Sequence, residues 1–64
     1  MIAEPVLIVG GRSDIGLALA HRFAAAGHPV QLAARNAAEL SADKSDIEVR
    51  HGVSVTLHEL DILE

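Results

Sequence analysis

Residues 6–16 read Val6-Leu7-Ile8-Val9-Gly10-Gly11-Arg12-Ser13-Asp14-Ile15-Gly16. A short apolar, β-branched run stops at glycines and gives way to a capping residue and a helix-compatible stretch. This order predicts a strand buried on both faces, a tight turn and a helix N-terminus. Such a junction suits phosphate. The first helical N–H groups have no intrahelical partner, and the helix dipole adds positive potential there. Glycines let the backbone turn sharply and let a pyrophosphate approach. A P-loop shares the Gly11-to-Gly16 spacing, but it needs Lys-Ser/Thr next, and this chain has Leu17-Ala18.

The rest of the chain repeats the alternation of strand and helix. Ile15, Leu19 and Phe23 recur every four residues and predict one apolar helical stripe, with Phe23 in the core. Ala18, Ala20, Ala24, Ala25 and Ala26 favour helix and permit close approach to a sheet. Ser13 or Asp14 is placed to cap this helix, and Gly27 followed by Pro29 marks its stop. Residues 30–34 read as a second strand. Asn36 and Glu39 have capping-box spacing, which predicts a second helix running to about Arg50, with Leu40 and Ile47 inward. His51-Gly52 is its stop. Residues 53–57 alternate small polar and apolar side chains and predict a third strand reaching about Leu60.

The predicted fold class is α/β. Right-handed crossovers place the three parallel strands in the order 3-2-1, with both helices on one face. The other face is left bare and, at strand one, apolar. That face predicts either the first portion of a larger doubly wound domain or a small protein that pairs with itself. Taken alone, a segment of this size is expected to be poorly stable and to associate through the bare face.

Composition narrows the function. The 64 residues are 50% hydrophobic and carry a formal net charge of −4. This is too apolar for a disordered segment. Five Lys and Arg, with no Trp or Tyr, argue against a general nucleic-acid binder. There is no cysteine, which excludes disulfides and thiolate zinc sites and fits a reducing, cytoplasmic compartment. No apolar run approaches the roughly 20 residues of a membrane helix, and the N-terminus does not read as a secretory signal. His21, His28, His51 and His58 are scattered rather than arranged as metal ligands. Asp43, Lys44, Asp46 and Glu48 read as a solvated helix face.

These residues resemble the N-terminal part of the short-chain dehydrogenase/reductase family. That family's turn reads T-G-x-x-x-G-x-G after strand one; here Gly10, Ile15 and Gly16 match it. Val9 replaces the family threonine and Asp14 the middle glycine. Ala33-Ala34-Arg35-Asn36 resembles the family's end of strand two, and Leu60-Asp61-Ile62 its segment ending strand three.

The resemblance implies a partial Rossmann fold over residues 1–64, forming the start of an NAD(P)-binding domain. It implies a phosphate-binding turn of Gly10, Gly11, Arg12, Ser13, Asp14, Ile15 and Gly16. Asp61 and Ile62 would contact the adenine ring. An acid at the end of strand two would hold the ribose hydroxyls of NAD; Arg35 stands there instead, and charge complementarity favours NADP, with NAD the second option. Arg12 would reach the same phosphate from the turn. The family's catalytic tyrosine and lysine, in Y-x-x-x-K, have no counterpart: there is no tyrosine, and the single lysine is Lys44. No catalytic residue is therefore expected in this chain.

The expected function is the dinucleotide-binding portion of an NAD(P)-dependent oxidoreductase. The alternative is a small non-catalytic nucleotide-binding or self-associating module. A receiver-like domain would need acids at the end of strand one, where Val9-Gly10-Gly11 offers none.

Overall fold

The computed structural model describes residues 4–10 and 13–60. Among them run β1 (Val6–Val9), α1 (Asp14–Ala25), β2 (Val30–Ala34), a 3₁₀ turn (Ala37–Leu40), α2 (Ser41–His51) and β3 (Val55–Glu59). The strands form one parallel sheet in the order β1-β2-β3, which is the expected 3-2-1 read from the other edge. Val6 pairs with Val30, and Val30 with Val55, so all three strands start level, and β1 ends one residue before β2 and β3. Their carboxyl ends therefore open on one common edge.

Both helices cover one sheet face. The core joins Ile8, Val30, Leu32, Ala34 and Val55 from the sheet to Ala20 and Ala24 of α1 and to Leu40 and Ile47. The period-2 alternation of a strand sends the other side chains to the open face. There Leu7 and Val9 are more than half exposed, at 55% and 57%. The expectation that β1 is buried on both faces does not hold: Ile8 is its buried residue. The bare face is apolar at β1 and turns polar at β3, where Thr56 and His58 hydrogen-bond at 2.8 Å.

The face of α1 that meets the sheet is not the expected one. Gly16, Ala20 and Ala24 are buried, whereas Ile15, Leu19 and Phe23 lie outward, with Ile15 76% exposed. Both rows repeat every four residues, so periodicity cannot choose between them. Packing does: the small row lets α1 sit close on the strands. Phe23 is thus not a core residue; its ring meets His28 edge-on at 5.9 Å.

Three boundaries also move. α2 starts at Ser41 after the 3₁₀ turn and runs to His51. β3 begins at Val55 and ends at Glu59, one residue short of Leu60. The capping box at Asn36 is not formed. Asn36 takes a left-handed conformation, φ 55°, and its side chain makes no cap bond. The helix stops are as expected, with Gly27 at φ +94° and Gly52 at φ +67°.

Candidate dinucleotide site

The turn after β1 closes on itself. Gly10 has φ +83°, a left-handed conformation that glycine adopts without strain. Its N–H donates to the Ala33 carbonyl at 2.8 Å, extending the β1–β2 pairing past the strand end. Its carbonyl accepts from the Ser13 N–H and from the Ser13 hydroxyl, each at 3.0 Å. The same hydroxyl oxygen accepts from the Gly16 N–H at 2.9 Å and so caps α1. Of the two expected caps it is Ser13 that acts, and Asp14 is the first residue of the helix.

Gly16 explains why the turn can be this tight. A Cβ at that position would lie 2.6 Å from the Gly10 carbonyl oxygen, closer than any real contact of this kind. The helix start therefore presses on the turn backbone. Gly11 and Arg12, both expected in the phosphate-binding turn, lie outside the described residues, as do Asp61 and Ile62.

An open groove of about 320 Å³ lies along the carboxyl edge of the sheet. It is lined by Val9, Gly10, Ser13, Ala33, Ala34, Arg35 and Leu60. Parallel sheets bind ligands in this crevice, outside the carboxyl ends of their strands. The volume is at the lower end of small-molecule sites. Its floor is small and apolar, which suits a flat ring. Arg35 supplies a cation at one side, and the N-terminus of α1 supplies N–H donors at the other. Gly10, Ser13 and Arg35 thus line one groove. Asp14 and Ile15 lie in the first turn of α1, both exposed. Asp14 adds a negative charge at the positive end of the helix. The chemistry and shape of these residues fit the adenosine and phosphate part of a nicotinamide dinucleotide.

The turn after β2 is held from elsewhere. The Glu59 carboxylate, at the end of β3, accepts from the Asn36 N–H at 2.9 Å and from the Ala37 N–H at 3.0 Å. Those two bonds, with a smaller contribution from the Arg35 charge, hold the Glu59 carboxyl below the usual glutamate range. Glu59 carries no motif in the sequence. Its partners are more than twenty residues away, which is why pattern reading misses it.

Two further groupings differ from expectation. Glu48 is not merely solvated: Lys44 bonds it at 3.1 Å, and its second oxygen accepts from the Val55 N–H at 3.2 Å. Both lower its pKa, the lysine bond more. His21 and His51, from α1 and α2, come within 3.0 Å, with Asp46 at 3.6 Å from the other nitrogen of His21. Among the described residues no group of three or more ligands converges on a metal position. None of their helices is long and apolar enough to cross a membrane.

Known proteins agree with this geometry. No family model matches the chain. It is 44% identical over 55 residues to the 3-dehydrosphinganine reductase TSC10A of Arabidopsis thaliana, covering 86% of this chain and 17% of that protein. A short-chain dehydrogenase from Sphingobium yanoikuyae, solved in complex with NADPH, superposes with a TM-score of 0.82 at 35% identity. That match covers 94% of this chain and 23% of the other. An alcohol dehydrogenase from the archaeon Thermococcus sibiricus, complexed with 5-hydroxy-NADP, gives a TM-score of 0.83 at 30% identity, over 95% and 26% of the two chains. The chain spans between 17% and 26% of the length of these relatives. Over nearly its whole length it is similar to the N-terminal portion of short-chain dehydrogenase structures.

Proposed function

We propose that this chain is the dinucleotide-binding portion of an NAD(P)-dependent oxidoreductase and that it takes NADP(H) in preference to NAD(H). The observation that carries the reading is the groove that joins the glycine turn to Arg35 at one edge of the sheet. NADP(H), when bound, supplies the hydride chemistry; the residues here bind and orient it. The α1 N-terminus, with Gly10 and Ser13, faces the pyrophosphate. Ala33, Ala34 and Leu60 flank the adenine, and the family resemblance assigns Asp61 and Ile62, which lie outside the described residues, to the same ring. Arg35 meets the ribose 2′-phosphate, and the family resemblance assigns Arg12, outside the described residues, to the same group. Two of the solved relatives hold NADPH or an NADP derivative, which supports the choice of cofactor.

The reaction itself belongs to residues outside this chain. There is no tyrosine, and Lys44 is engaged with Glu48 on α2 rather than at the groove. The apolar face at Leu7 and Val9 is covered by the remainder of a doubly wound domain or by a second copy. The lack of cysteine supports a cytoplasmic setting.

Titration of the chain with NADPH and NADH by calorimetry tests this reading. NADPH is expected to bind at least about tenfold more tightly, the worth of one charge-assisted contact. Arg35→Asp should remove that preference and leave NADH binding in place. Equal affinities before and after the change would refute the assignment.

A further inference from the structure

The turn that carries Arg35 has an unusual closure. Asn36 is left-handed, φ 55° and ψ 46°, and Ala37 opens the 3₁₀ turn. This combination points two successive backbone N–H groups the same way, forming a small anion-binding concavity. The chain fills it with its own anion. One oxygen of Glu59 takes each N–H, at 2.9 and 3.0 Å. No other described residue bonds these two N–H groups. β2 and β3 are directly paired, Ala34 opposite Glu59, so the carboxylate sits beside the point where Arg35 leaves the sheet.

We propose that Glu59 is a positioning residue for dinucleotide selectivity, clamping the Arg35-Asn36-Ala37 turn so that the arginine faces the ribose 2′-position. The proposal rests on the NADP(H) reading above. Glu59 does not line the groove, so it acts through the turn rather than on the ligand. Each of its oxygens accepts one backbone N–H, which fixes the plane of the carboxylate against the turn. Without the clamp, Asn36 is free to leave its left-handed conformation, and the direction in which Arg35 departs from β2 is no longer set.

The test is Glu59→Gln, which keeps the size of the side chain but places an amide group against one of the two N–H donors. NADPH and NADH are titrated into the wild-type chain, Glu59→Gln, Arg35→Ala and the double variant, with circular dichroism confirming the fold of each. Glu59→Gln should weaken NADPH binding about fivefold, near the loss of one such hydrogen bond, and leave NADH within about twofold. A role in stability alone would weaken both together. With Arg35→Ala already present, Glu59→Gln should change neither affinity further, because the two act as one unit.

An unchanged NADPH-to-NADH ratio in Glu59→Gln, with the wild type selective, overturns this proposal and leaves the cofactor reading standing. A wild-type chain that binds neither nucleotide overturns both. Should Glu59→Gln not fold, Glu59→Asp serves instead. Its shorter arm cannot span both donors, and an unchanged ratio in that variant likewise overturns the proposal.

Discussion

The two turns that build the groove are closed in opposite ways. The turn after β1 is closed by Ser13, three residues from each backbone group it binds. The turn after β2 is closed by Glu59, 23 and 22 residues beyond its partners. One is a property of a short stretch of chain, and the other exists only after β3 has paired with β2. A local closure can form early and can be recognised as a motif. A distant closure couples the geometry of one loop to the register of the sheet.

The largest test of the contrast falls on the first turn. Gly16→Ala puts a methyl group 2.6 Å from a backbone oxygen that cannot swing away. It should destabilise the chain by about 2 to 3 kcal/mol in urea unfolding, the upper part of the usual range for overpacking. A loss below about 0.5 kcal/mol would mean the turn is looser than described. Gly10→Ala comes next: its φ of +83° should cost about 1 to 2 kcal/mol even though the space beside it is open. Ser13→Ala should cost about 1 kcal/mol through loss of the N-cap, with the effect centred on α1. If it loosened the β2 turn equally, the two closures would not be independent.

Acid gives the smallest and most selective effect. Glu59 is held below its usual pKa in the folded chain. Its stabilisation is therefore complete above the unfolded value, about pH 4.3, and is lost as pH falls through the lower folded value. Glu48 behaves likewise at the start of β3. The Ser13 hydroxyl has no such transition. Hydrogen exchange followed from pH 6 to pH 3 should show Asn36 and Ala37 losing protection before Gly16. Simultaneous loss would erase the distinction.

The same contrast explains what could be read without a structure. The first turn, the order of elements, the parallel sheet and the stops at Gly27 and Gly52 rest on nearby residues and were legible. The inward face of α1 was not, because Ile15-Leu19-Phe23 and Gly16-Ala20-Ala24 share one period and only the distance to the sheet selects the smaller row. The second helix was misread at its start for a similar reason. Asn36 and Glu39 have the spacing of a capping box, yet a carboxylate from β3 takes the Asn36 N–H, and the Glu39 N–H goes to the Asn36 carbonyl. The meeting of His21 and His51 is likewise a product of packing between α1 and α2.

The central claim is that both turns serve one ligand at the carboxyl edge of the sheet. The most direct measurement is amide chemical-shift mapping of the isotope-labelled chain during titration with NADPH. The account predicts that the largest changes fall on Gly10, Ser13 and Gly16 and on Ala34, Arg35 and Leu60, saturating with a single affinity. Changes confined to one turn, or centred on the His21–His51 contact between the helices, would contradict it.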